Sequence, residues 1–329
     1  MNRAIDNGRQ WYRLFCVKGL GPKRLHLIYR VLKDSRVAVD ELFRIDWPHF
    51  QQLLPKLGKP LFEAIQGSYS ARMNPDYEQL IDKGIKIIHL GHEYYPDILV
   101  QRMQYNAPPL LFCKGHLGLL KSAGIAIVGS RDASPKGLAL ASQFAAELAL
   151  QGKNVISGYA KGVDTKAHLG ALEEDGTTTI ILSSGILGFS RKQVFKDVRW
   201  ERNVLAISQF HPSEKWSARN AMIRNKLVCA LSQAVIVVEA GDEVDDRGKM
   251  SGTFDAGKTA LQMGVPLFVV DPCILEAQPK GNRKLIERGG IKINSRDGIT
   301  TMLEHLKCTE QAVVTSTHQR EEVEQLPMF

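Results

Sequence analysis

Three stretches of the chain carry residue types suited to holding a phosphate. Gly129, Ser130 and Arg131 follow the apolar run Ile125 to Val128, and Ser157, Gly158, Lys161 and Gly162 follow a second run at Val155 and Ile156. Small residues let the backbone approach an anion. A helix that opens just after a strand offers unpaired N–H groups and the positive end of its dipole. Arg131 adds a forked guanidinium beside the first loop and Lys161 a point charge beside the second. The third stretch places Arg219, Arg224, Asn225 and Lys226 along a helix expected over 217 to 231. Asn220 and Asn225 are poor choices inside a helix and point to a ligand-facing end. Nothing in these stretches reads as catalytic: Asp164 reads as a helix cap, and His168 as a packed histidine without a nucleophile at fixed spacing. No metal is expected, since the five cysteines are scattered singly without histidines at ligand spacing. No nucleotide cofactor is expected either, because neither G-x-G-x-x-G nor a Walker G-K-[ST] occurs on a strand-to-helix turn.

These loops need a scaffold that puts strand ends on one rim. Strands are expected at Ile125 to Gly129, Asn154 to Ser157, Thr178 to Ser183, Val204 to Ile207, Val235 to Val238, Leu267 to Val270 and Gly290 to Ile293. Helices are expected between them at about 137 to 151, 163 to 174, 192 to 202, 217 to 231, 254 to 263 and 282 to 288. Continuous Ile/Val runs alternating with helices predict a doubly wound, mostly parallel α/β sheet, with ligands outside the carboxyl ends of the strands. A further strand at Ile85 to His89 and an extended run around Pro108 to Phe112 add to this sheet.

Residues 1 to 75 show helical spacing of apolar residues and read as a small helical domain, 76 to 307 as the α/β domain, and 308 to 329 as a flexible tail. Within the first, Val17 to Arg24 resembles a helix-hairpin-helix turn. Gly19 and Gly21 allow unusual dihedrals, and Lys18 and Lys23 lie close enough to meet DNA phosphate. A tight packing connector is the alternative reading. With 44% hydrophobic and 24% charged residues, the composition is that of an ordinary globular protein. No apolar run reaches the roughly 18 residues of a membrane span, so a cytoplasmic protein with no membrane partner is expected. The net charge of +8 favours a polyanionic partner.

Taken together, G-S-R at 129 to 131, S-G-x-A-K-G-V-D-x-x-A-H at 157 to 168, R-N-K-L-V-C-A-L-S at 224 to 232, S-G-T at 251 to 253 and G-N-R-K-L-I-x-R-G-G at 281 to 290 resemble the DNA-processing protein A (DprA/Smf) family. Tyr95-Pro96 and Pro108-Pro109 match as well, so the likeness runs from residue 10 to about 305. The resemblance implies an extended Rossmann-like domain that binds single-stranded DNA without catalysis, commonly as a homodimer. It also implies help in loading the recombinase RecA during DNA uptake, natural transformation or recombination. It places a phosphate at Arg131, the amides of Ser130, Gly158 and Gly162 around it, and Lys161, Arg224 and Lys226 along a basic track. Lys192 is a further candidate contact.

The chain departs from the family pattern in three places. Arg224-Asn225-Lys226 replaces R-N-R, Gly188 to Lys192 replaces Y-P-x-x-N, and Asp242 to Lys249 inserts four acids beside the DNA rim. The terminal Gln325-Leu326-Pro327-Met328-Phe329 resembles the peptide that docks on the replication sliding clamp, through Gln325, Leu326, Met328 and Phe329. The runner-up reading is a nucleotide-binding sensor or nucleoside-monophosphate hydrolase of the same fold group, in a defence or replication-associated assembly. Ser251-Gly252-Thr253 lacks the glycine pair and glutamate of the hydrolase loop.

Overall fold

The computed structural model describes residues 7–70, 75–245, 248, 250–294 and 297–308. Five helices come first: α1 (Gly8–Cys16), α2 (Pro22–Ser35), α3 (Trp47–Leu53), α4 (Lys59–Ser70) and α5 (Pro75–Asp82). Their ends follow local chemistry. Pro22 takes the first position of α2 after an extended Gly21, and the Asp46 carboxylate accepts the His49 amide at 3.0 Å to cap α3.

The sheet that follows has nine strands among the described residues: β1 (Lys86–His89), β2 (Leu110–Gly115), β3 (Gly124–Val128), β4 (Asn154–Ser157), β5 (Thr178–Ile181), β6 (Val204–Ser208), β7 (Ser232–Val237), β8 (Leu267–Val270) and β9 (Ile291–Ile293). They lie in the order β1-β2-β6-β5-β4-β3-β7-β8-β9. The run from β6 to β9 is parallel, and β2 and β1 are added antiparallel at one edge. Between strands run α6 (Asp97–Met103), α7 (Pro135–Leu150), α8 (Val163–Glu173), α9 (Trp200–Asn203), α10 (Ala218–Leu231), α11 (Gly252–Gln262) and α12 (Lys280–Glu287), and residues 298–308 form a last helix. No described helix is long and apolar enough to cross a membrane.

Alternation along the strands sorts the core. Ala126, Val128, Val235 and Val237 point to the face covered by α6, α10, α11 and α12, where Leu227, Phe254 and Leu285 are buried. Ile125, Ile127 and Ile236 point the other way, under α7 and α8. The remainder of that second face belongs to the N-terminal helices. Phe112 of β2 takes the edges of Tyr12 and Phe15 at centroid distances of 6.1 and 5.7 Å, so those helices share a core with the sheet.

The segment expected as one helix over 192 to 202 is instead a short turn at Gln193–Phe195 followed by the single turn of α9. Phe195 and Trp200 are both buried. Five residues apart, they would sit about 140° apart on one helix, so a single helix could not bury both.

The chain passes from β3 through β4 and β5 to β6 on one side, then returns to place β7 on the other side of β3. The loops after β3 and β7 therefore diverge and leave a crevice at the carboxyl ends of the strands. Cutting Phe112 to alanine empties the junction between helices and sheet. We expect a loss of about 3 kcal/mol or more, measured by denaturant unfolding.

Candidate nucleic-acid interface

A cleft of about 630 Å³ occupies that crevice. Gly129, Ser130, Arg131 and Asp132 line it from the β3–α7 loop, Ala160 and Asp164 from the start of α8, Trp216, Arg219, Met222, Arg224 and Asn225 from α10 and its approach, and Asp242, Asp245 and Met250 to Thr253 from the segment before α11.

Its floor is Arg224, which is 8% exposed. Nη1 lies 3.7 Å from the Asp164 carboxylate and donates to the Ile181 carbonyl at 3.3 Å, while Nε finds no acceptor among the described residues. Burial pulls the guanidinium's pKa below its ordinary value, and Asp164 opposes that pull. Asp164 also accepts the Ala160 amide at 3.2 Å. The guanidinium passes directly over Gly158, where any side chain would collide with it. Gly162, at φ +79°, faces the carbonyls of Ser130 and Arg131 equally closely, and the Val163 amide bonds to Ser130 O at 3.3 Å. Gly158 and Gly162 thus bring the two loops together.

Arg131 is exposed and its guanidinium stands 5.6 Å from the ring centre of Trp216, itself 55% exposed. Lys161 pairs with Asp132 at 2.6 Å at the mouth and holds that carboxyl below its usual range. The loop under Arg131 is anchored by hydrogen bonds. Ser134 caps α7 by accepting the Gly137 amide at 3.1 Å, and its own hydroxyl and amide donate to buried Glu239 at 2.9 and 3.1 Å.

Two of the acids inserted after β7, Asp242 and Glu243, are tethered. Asp242 pairs with Lys284 at 2.5 Å, and Glu243 pairs with Arg288 at 2.8 Å and Lys258 at 3.2 Å. Val244 bridges to Met250. Behind them Asn282 donates to the carbonyls of Val238 and Val270 and accepts the Ala240 amide, locking this side of the rim.

Of the residues singled out in the sequence, Gly129, Ser130, Arg131, Arg219, Arg224 and Asn225 line the cleft. Several have other work. The Ser130 amide is committed to Glu239 O at 2.8 Å and its hydroxyl accepts the Asp132 amide at 3.1 Å, and the Ser157 hydroxyl donates to Ile127 O at 2.6 Å. Asn225 donates to Gly252 O and Asp255, tying α10 to α11, and Asn220 turns to Glu214 and Lys215. Lys226 is exposed outside the lining. The Lys192 amine is spent on Ala160 O and the Thr165 hydroxyl. Lys18 and Lys23 are exposed around Gly19, at φ +94°, whose carbonyl accepts Arg24 at 2.6 Å; this turn lies apart from the cleft lining. Asp164 is not the cap of α8 but the partner of Arg224. Ser251 caps α11 by accepting the Phe254 amide. The terminal residues Gln325, Leu326, Met328 and Phe329 lie outside the described residues. Sequence reading missed Trp216, whose signal was an aromatic residue in a polar stretch just before the helix cap Ser217.

The family model for DNA recombination-mediator protein A matches residues 86–304. The chain belongs to this family. It is 32% identical over 206 residues to DNA processing protein DprA of Streptococcus pneumoniae, covering 61% of this chain and 68% of that one. To protein Smf of Escherichia coli it is 30% identical over 220 residues, covering 66% and 56%. The solved DprA of S. pneumoniae shares the fold at a TM-score of 0.69 and 23% identity, over 89% of this chain and 97% of that one. DNA processing protein A of Helicobacter pylori, whose structure is described for its single-stranded DNA binding mode, aligns at a TM-score of 0.55 and 26% identity over 67% and 96%.

His168, on α8 beneath the cleft, is fully buried between Gly158 O and the Thr178 hydroxyl, each 2.6 Å from a ring nitrogen. Burial lowers its pKa to about 4. The folded state holds it neutral while an unfolded chain protonates it near 6.5, so its contribution is complete above pH 6.5 and drains away as pH falls toward 4. Stability should therefore drop on the order of 3 kcal/mol more across that window in the wild type than in His168→Gln, measured by denaturant unfolding at several pH values.

Proposed function

We propose that the cleft holds the sugar-phosphate backbone of single-stranded DNA and that the protein acts as a binding mediator in DNA uptake or recombination, without chemistry of its own. The observation that carries this reading is Arg224: a charge kept at the bottom of an open cleft, paired on one edge and unpaired at Nε. Arg131 and Arg219 extend positive charge up the wall, and the exposed ring of Trp216 gives an unpaired base a surface to stack on. Family membership and the single-stranded DNA described for the H. pylori relative support the same assignment.

The absence of chemistry rests on commitments already made. Asp164 is held by Arg224, both nitrogens of His168 are engaged in the core, and Ser251 serves as a helix cap. A homodimer, handover of the strand to a recombinase such as RecA, and clamp docking by the terminal peptide complete the reading.

Anisotropy of a labelled oligothymidine across a salt series tests it. Wild type should bind with a steep salt slope. Arg131→Ala should weaken binding about tenfold and flatten the slope by about 0.7, the share of one phosphate contact on a single strand. Binding indifferent to Arg131, or confined to mononucleotides, would overturn the proposal.

A further inference from the structure

The cleft mouth is electrostatically two-sided. On the β7 side stand Asp242, Glu243 and Asp245, with Lys258, Lys284 and Arg288 consumed in tethering the first two. On the α8 side Asp132 and Asp164 are each paired with a cation, Lys161 and Arg224, and a second loop brings further cations. The residues linking β5 to β6 come back over the start of α8, where Tyr159 acts as a rivet: its hydroxyl donates to Ser190 O at 3.0 Å and accepts the Lys192 amide at 2.8 Å. Lys192 drives its amine into the same joint, 3.0 Å from Ala160 O and 2.8 Å from the Thr165 hydroxyl, and lies 4.4 Å from the Tyr159 ring centre. Lys192 is thus a positioning residue.

Beside the rivet stand cations that no carboxylate neutralises among the described residues. Arg191 is exposed with its guanidinium over Trp200, 4.5 Å from the ring centre, and Lys196 follows, exposed, on the same loop. Lys166 is exposed on α8, one turn beyond Lys161. No ion pair forms at Arg191, Lys196 or Lys166 among the described residues, whereas Arg199 and Arg202 farther on are both taken by Asp175. From 189 to 199 the only acid is Asp197.

We propose that Lys166, Arg191 and Lys196 form an exit track along which a single strand continues after leaving the cleft, on the side away from the acidic hairpin. The inference rests on the reading of the cleft as a single-stranded DNA site and adds the direction and extent of the bound strand. The occupant is a flexible polyanion several nucleotides longer than the cleft holds. The track adjoins the cleft through Lys192, whose amine touches the lining residue Ala160, and a single strand is favoured over a duplex because unpaired bases can stack on the exposed ring of Trp216.

The test compares the full-length wild type with the triple variant Lys166→Gln, Arg191→Gln, Lys196→Gln on two oligothymidines: one of about four nucleotides that only fills the cleft, and one about four times as long. The track predicts that the variant loses about tenfold or more on the long strand, that its salt slope flattens by about two, and that the short strand binds within about twofold of wild type. Unchanged binding of both lengths would overturn the track and leave the cleft reading intact. Equal losses on both would also overturn it, since the residues would then act at the cleft itself. A wild type that binds neither length would remove the cleft reading and the track with it.

Discussion

The ion pair between Arg224 and Asp164 is the constraint around which the site is arranged. A guanidinium this deep costs several kcal/mol in lost hydration, and a partner carboxylate with well-placed carbonyls must return most of it. Asp164 and Ile181 O do so incompletely, because Nε remains unpaired and the pKa is pulled down by burial. In the proposed function, an anion in the cleft would add the compensation that the fold leaves out. The pair also explains the glycines: Gly158 leaves room for the guanidinium, and Gly162 lets the α8 loop touch the backbone of Ser130 and Arg131.

Topology supplies the opening. Where β3 and β7 send their chains in opposite directions, the sheet leaves a gap that side chains need not fill, and its walls come from segments distant in sequence. Those walls are fixed by polar bonds: Ser134 and Glu239 below Arg131, Asn282 behind the β7 loop, Asn225 between α10 and α11. A ligand that enters a cleft with walls fixed this way would demand little reorganisation, which is where affinity is most easily lost. The acidic insertion is held in the same way, since Asp242 and Glu243 are tethered to cations on α11, α12 and the residue after α12.

Much of this was legible in the sequence. Continuous Ile and Val runs between helices announce a parallel sheet, and small residues at strand ends announce the loops, so Gly129 to Arg131 fell where expected. Residues whose role depends on a distant partner were not legible. Lys192 reads as a DNA contact, and the structure shows Tyr159 and Thr165 holding it; Asn225 lines the cleft, with its amide nitrogen also claimed by Gly252. Asp164 sits where a cap belongs, yet its partner lies 60 positions away. The helix expected over 192 to 202 failed because propensity ignores the demand to bury both Phe195 and Trp200.

The central claim, that buried positive charge at Arg224 binds phosphate, is tested most directly by single-strand affinity in two variants measured side by side. Asp164→Asn removes the internal competitor and leaves the guanidinium in place; Arg224→Met with Asp164→Asn removes the pair together and spares the fold an orphaned charge. The account predicts a less stable but equal or tighter binder for the first, and a folded protein weakened about tenfold or more for the second. A double variant that melts cooperatively and binds oligothymidine as well as wild type would contradict it.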